Sequence, residues 1–157
     1  MVFTKNPLNT GGYCLEAIGA YNKRHMNIMI GLLASALGFS IAIYIHERHS
    51  KKRPLRCPRR APCETVLGSP QAKTFGISNS VLGIAYYALI FFLLFFVSPG
   101  KVSAYSVILF VLITAGFLFS LYLVRVQRVV IKQWCIWCLG SAITSTILFL
   151  VGVTFFL

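Results

Sequence analysis

Residues 79–124 read NSVLGIAYYALIFFLLFFVSPGKVSAYSVILFVLITAGFLFSLYLV. Two apolar runs, Asn79 to Ser98 and Val102 to Val124, meet at the short link Ser98-Pro99-Gly100-Lys101, and neither run contains a charged side chain. A helix crosses the hydrocarbon of a bilayer with roughly 20 apolar residues, so each run is long enough for one crossing. Pro and Gly in so short a link turn the chain back on itself, and the two crossings are expected to form an antiparallel hairpin.

Working outward, two more uncharged apolar runs appear, Met26 to Ile45 and Cys135 to Leu157. The first starts too late and runs too long for a secretory signal core, and no small-residue cleavage site follows it, so it reads as a retained span. The composition agrees with four crossings: 57% of the 157 residues are hydrophobic and 11% are charged, far from a soluble domain's balance. The expected fold is an all-α membrane protein, a single integral membrane domain over residues 1–157. It comprises an N-terminal tail 1–25, spans at 26–45, 79–98, 102–124 and 135–157, and a large first loop at 46–78. The net charge of +12 would suggest a nucleic-acid partner in a soluble protein. Here the basic residues fall between the apolar runs, where they meet lipid headgroups and set orientation, so nucleic acid is not expected as a partner.

Four crossings put both termini and Pro99 on one side, and the segments 46–78 and 125–134 on the other. Four of the five cysteines then share a face: Cys57 and Cys63 in the first loop, Cys135 and Cys138 at the mouth of the fourth span. Cys14 stands alone and reads as inert. Cys135-Ile136-Trp137-Cys138 places two thiols one turn apart where a helix begins, and unpaired N–H groups there favour a thiolate. That spacing also suits zinc. Cys57 and Cys63 bracket Pro58-Arg59-Arg60-Ala61-Pro62, a gap a disulfide can bridge, either as a static clasp or as a reactive pair activated by neighbouring guanidinium groups. Two pairs on one face permit a relay, in which the loop pair takes electrons from a soluble thiol and passes them to the helix pair. Because Cys138 opens an apolar helix, the fitting two-electron acceptor is lipid-soluble, such as a quinone.

Taken together, Cys57, Cys63, Ser69, the stretch Ser78-Asn79-Ser80-Val81-Leu82-Gly83 and Cys135-Ile136-Trp137-Cys138 resemble the vitamin K epoxide reductase family, in particular its single-domain prokaryotic members. The likeness covers roughly residues 26–150. It implies a four-helix bundle around a quinone of the ubiquinone or menaquinone type, capped by the first loop and its short helix. It further implies that Cys57 forms a mixed disulfide with a separate thioredoxin-like, DsbA-like partner, that Cys63 exchanges with Cys135, and that Cys138 faces the quinone ring. Asn79 would hydrogen-bond a quinone oxygen, with Ser69 near the site. From its position alone Asn79 reads as a helix N-cap at the membrane boundary, and the resemblance favours the quinone role over that reading. Trp137 reads as an interfacial anchor that also shapes the quinone pocket.

The chain departs from the family in two respects. Ala142 stands where animal members carry a tyrosine, which makes quinone reduction the expected reaction rather than epoxide reduction. The chain also stops at Leu157, leaving no fused thioredoxin-like domain and implying a separate partner. The DsbB-type thiol oxidases place their Cys-x-x-Cys in the first loop, the reverse of the order here.

Charge and family disagree on orientation: eleven Lys and Arg lie on the cysteine side and four on the other, which positive-inside counting would place in the cytoplasm. A basic loop also serves to recruit an acidic partner, and an extracytoplasmic redox face of the cell membrane is the expectation, with the inverted orientation as the alternative. The rival function is a non-enzymatic membrane protein holding zinc on Cys57, Cys63, Cys135 and Cys138. A channel or transporter would carry charged residues within its spans, and the four runs have none.

Overall fold

The structure is a computed structural model that describes residues 10–51, 53, 55, 57, 63–74, 76–96 and 104–156, with side chains left undescribed at 10–18, 20, 155 and 156. Its elements in chain order are α1 (Thr10–Ser50), α2 (Cys63–Gly68), a 3₁₀ turn (Pro70–Ala72), β1 (Lys73–Thr74), β2 (Ile77–Ser78), α3 (Asn79–Phe96), α4 (Ala104–Val126), a π-helical turn (Gln127–Ile131) and α5 (Ile136–Phe156). Among the described residues four helical stretches are long and apolar enough to span a bilayer: Tyr21–Ser50, Asn79–Phe96, Ala104–Ile131 and Ile136–Thr154. The all-α, four-span architecture expected from the sequence is the one observed.

Several boundaries differ from the apolar runs. The segment read as an N-terminal tail is helical from Thr10, and α1 outlasts its apolar run by continuing to Ser50. Beyond the hydrocarbon the helix needs no apolar side chains, only satisfied backbone groups. An i,i+4 pair between Glu47 and Lys51, 2.6 Å apart, assists the last turn, though with both side chains exposed to solvent its contribution is small. The loop expected at 46–78 therefore begins late. It also carries α2 and a two-stranded antiparallel hairpin in which Lys73 faces Ser78 and Thr74 faces Ile77. Gly76, at φ 80°, supplies the left-handed residue that this tight reversal needs. The link at Ser98, Pro99, Gly100 and Lys101 lies outside the described residues, as does the side chain of Cys14.

Large apolar side chains cover the outside of the bundle. Phe92, Phe95, Phe96, Leu33 and Leu118 are all exposed, as lipid-facing positions should be when hydrocarbon is the solvent. Inside, α1 packs chiefly on α3 and α5, and α4 packs on α5. The core gathers Ala34 and Ala42 from α1, Tyr87, Ile90 and Leu94 from α3, Leu109 and Ile113 from α4, and Leu148 from α5.

Lipid tails offer no hydrophobic drive for helices to associate, so close packing and internal hydrogen bonds hold them. Both are visible around Tyr87. A methyl group added at Gly38 would run into its ring, so α1 reaches α3 this closely only through a glycine. The Tyr87 phenol also donates to the Ser141 carbonyl at 2.7 Å and lies 2.8 Å from the Thr144 hydroxyl. That hub fastens α3 to α5 and keeps the phenol satisfied where no water is available.

Candidate redox site

The site begins where α4 fails to continue. Its last residues widen into the π-helical turn Gln127–Ile131, and Lys132 then takes a left-handed conformation at φ 54°. The Gln127 carbonyl accepts hydrogen bonds from the backbone N–H of Lys132 and of Gln133, the latter at 3.2 Å. This closes the helix and directs the chain into Cys135. Wide π turns of this kind often occur at functional sites because they re-aim side chains.

Cys135 then caps α5. Its carbonyl accepts the Leu139 N–H at 3.0 Å, and its Sγ accepts the Cys138 N–H at 3.4 Å. Sulfur thus takes the place that a Ser or Asp oxygen usually holds at a helix start. A hydrogen bond from the Cys138 side chain, joined by the backbone N–H groups of Cys138 and Trp137 and opposed by burial, brings the Cys135 thiol down to about 7. The activated thiol expected at this helix start is therefore Cys135.

This shift has a pH consequence. A thiol whose pKa is depressed by folding stabilises the reduced native state above its unfolded pKa, and that contribution is lost as pH falls through about 7. Ultraviolet thiolate absorbance of the reduced helix pair, with Cys14 replaced by serine and the loop pair kept as a disulfide, should titrate near neutrality. With Cys138→Ala the midpoint should rise towards the ordinary thiol value of about 8.5. A midpoint unmoved by that substitution would show that Cys138 does not hold the thiolate.

Cys57 and Cys63 are joined as a disulfide with Cα atoms 6.6 Å apart, while Cys135 and Cys138 are free thiols. Cys63 and Cys135 are almost wholly buried, at 1% and 0% exposure, in one apolar cluster with Val66. Cys57, Cys138, Trp137, Leu55 and Ile131 pack around that cluster. Stretches of chain more than seventy residues apart in the sequence thus bring the loop pair and the helix pair together at one end of the bundle. A four-thiolate zinc site fits this arrangement poorly, because two of the four sulfurs are bonded to each other. Among the described residues no group of three or more His, Cys, Asp or Glu side chains is placed to share an ion.

Beside the cysteines lies a cavity whose empty space, mouth included, is about 760 Å³. Residues of α1, α3, α4 and α5 wall it, and α2 with the 3₁₀ turn forms its cap. Cys138 lines it, as do Asn79 and Ser69, whereas Cys135 does not. Asn79 opens α3 with its side chain turned to the cap. Its Oδ1 accepts the Thr74 hydroxyl at 2.7 Å and its Nδ2 donates to the Gln71 carbonyl at 3.1 Å. One amide hydrogen remains, since a primary amide carries two. The Ser69 hydroxyl donates to the Val66 carbonyl at 2.7 Å, so towards a ligand its oxygen can serve only as an acceptor.

Trp137 is not among the residues lining the cavity. Its ring packs on Tyr44 at 4.6 Å between centroids, and Arg48 lies over the Tyr44 ring at 5.5 Å. The stack ties the Cys135–Cys138 turn to the end of α1. Sequence reasoning missed Gln127, which is 4% exposed, lines the cavity and accepts the Cys135 N–H on its Oε1 at 3.0 Å. The available signal was an uncharged polar residue between Arg125 and Arg128, and it was submerged in a segment read as connecting loop.

The cavity is predominantly apolar with a few convergent polar groups, the character of a small-molecule site. Comparison with known proteins bears on the same residues. The model of the vitamin K epoxide reductase family matches residues 27–153, a stretch that takes in both cysteine pairs, Asn79 and the cavity walls. No curated protein matches the chain.

Proposed function

From the premise that this chain belongs to the vitamin K epoxide reductase family, and is thus a membrane oxidoreductase of a family that acts on quinones, we propose that it oxidises the dithiol of a thioredoxin-like partner and reduces a membrane quinone of the ubiquinone or menaquinone type. One observation carries the reading: Cys135 is buried against Cys63, while Cys138, one turn further on, lines the cavity. The helix pair therefore has one sulfur towards the loop pair and one towards the acceptor.

The electron route balances as follows. A partner thiolate attacks Cys57, the Cys57–Cys63 bond breaks, and the partner's second thiol displaces Cys57 to leave a loop dithiol. Cys63 then attacks Cys135 of an oxidised helix pair and releases Cys138 as the leaving thiolate. Cys57 displaces Cys135 from Cys63, which restores the loop disulfide and leaves the helix pair reduced. That dithiol gives two electrons and two protons to the quinone, forming hydroquinone and the Cys135–Cys138 disulfide. A depressed thiol pKa makes Cys135 a good leaving group in the step that frees it. The arrangement in the structure, loop pair bonded and helix pair free, corresponds to the stage just before quinone reduction. Asn79 would donate its remaining amide hydrogen to a quinone oxygen, and Ser69 would accept from the hydroquinone. Trp137 would support the site from behind the cysteines.

The test is anaerobic quinone reduction by the purified protein with a dithiol donor. One hydroquinone should appear per disulfide formed. Stoichiometric bound zinc without quinone reduction would instead favour the metal-binding alternative.

The redox face is extracytoplasmic in this reading, and the basic loop recruits an acidic partner surface. An impermeant maleimide should label Cys57 in intact cells under reducing conditions. Labelling that appears only after lysis would place the cysteines in the cytoplasm.

A further inference from the structure

Asn79 and Cys138 enter the cavity from α3 and α5. A para-quinone carries carbonyls at opposite ends of its ring, so donors on one side leave the far oxygen bare. Ala142 of α5, which also lines the cavity, offers nothing polar. Gln127 approaches from the end of α4, a third direction.

The orientation of its amide is settled by a neighbour. The Cys135 N–H is a donor and must meet oxygen, so the atom 3.0 Å away is Oε1 and Nε2 takes the other position. Among the described residues none accepts a hydrogen bond from Nε2. Nor is Nε2 sealed among apolar atoms, since among the described residues only the Tyr86 hydroxyl is a buried side-chain polar atom without a partner. A 4%-exposed amide on a cavity wall, its donor without an acceptor among the described residues, is an arrangement suited to a ligand acceptor.

We propose that Gln127 is the second polar anchor of the quinone, its Nε2 donating to the carbonyl far from Asn79 while its Oε1 holds the backbone of Cys135. This deepens the thiol:quinone reading and rests on it. One side chain would then fix both the acceptor and the sulfur that delivers electrons to Cys138. A merely structural Gln127 would need only its oxygen. A recognition residue needs its nitrogen as well.

Two substitutions separate these roles. Gln127→Met keeps the length and shape and removes both amide functions. Gln127→Glu keeps the oxygen that accepts the Cys135 N–H and, when ionised, has no donor. Binding is read by quenching of tryptophan fluorescence on titrating a short-tailed ubiquinone into the fully oxidised protein, which cannot turn over.

Both variants should bind about tenfold more weakly, the loss expected of one hydrogen bond in a dry site. Their quinone KM should rise in parallel. Exchange between the loop and helix pairs, followed without quinone after addition of a dithiol, should slow in Gln127→Met and persist in Gln127→Glu. Wild-type quinone affinity in Gln127→Glu that persists as pH is raised to ionise the carboxyl would overturn the anchoring role and leave Gln127 a positioning residue for Cys135. That result also decides the question if Gln127→Met does not fold. Absence of binding by the unmodified chain would sink the functional reading itself, and this inference with it.

Discussion

Protein carrying Cys138→Ala is expected to lose dithiol-dependent quinone reduction by at least about a thousandfold, the scale on which removing a reacting group acts. The loss follows from geometry rather than from stability. Cys138 lines the cavity, whereas Cys135 is buried in the cluster with Cys63, so in the proposed route no other thiol of the site replaces it at the acceptor. The substitution should also have a covalent signature. Without Cys138, a Cys135–Cys63 bond, once formed, cannot be resolved from the helix side. Non-reducing peptide mapping after mild oxidation should recover fragments containing residues 63 and 135 joined together. Cys138 is half-buried, and alanine removes little volume, so the bundle should stay folded. Quinone reduction close to the wild-type rate would refute the assignment of Cys138 to the acceptor.

How much of this was legible beforehand differs between fold and site. The number of crossings was legible because the signal is length and apolarity, and each of the four runs found its helix. Which face of each helix packs was not. Leu89 and Ile90 are adjacent and equally apolar, yet Leu89 is 47% exposed and Ile90 0%. In water the polar face of a helix marks its outside, but in hydrocarbon both faces are apolar and the periodic signal vanishes. Gly38 carried more information than any apolar neighbour, but only once Tyr87 is known to lie against it.

The cysteines were legible because their chemistry is rare and their pairing follows from spacing and sidedness. Their convergence could be argued from topology alone, and the cluster of Cys63 with Cys135 agrees with it. Gln127 was not legible, because its role depends on the π turn that re-aims it, and nothing in Gln127-Arg128-Val129-Val130-Ile131 announces a wide turn over an ordinary one. The placement of Trp137 on Tyr44 rather than on the cavity wall likewise depends on a partner from α1, ninety-three residues earlier. Contacts of that range leave no local trace.

Cys63→Ala should convert the protein into a trap for its thiol donor. In the proposed order the partner attacks Cys57, and it leaves only when its own second thiol displaces Cys57; the loop pair then needs Cys63 to carry electrons inward. With Cys63 absent, Cys57 is left without its intramolecular partner. Oxidation can then join Cys57 only to another thiol, and among the described residues Cys135 and Cys138 are the other free ones. Cys57 is half-buried where Cys63 is 1% exposed, so a macromolecular thiol meets Cys57 first. A partner reduced to its single attacking cysteine, supplied as a mixed disulfide with thionitrobenzoate so that the Cys57 thiolate attacks it and thionitrobenzoate departs as the leaving thiolate, should accumulate as a disulfide-linked adduct on Cys57, visible as a mobility shift that a reductant abolishes. The converse variant, Cys57→Ala, should give far less adduct, because Cys63 is buried within the cap against the bundle, packed with Val66 and Cys135. Quinone reduction should be lost in both. If the two variants trap the partner equally, or Cys57→Ala traps it better, the order of the loop pair is reversed and Cys63 is the residue that meets the partner.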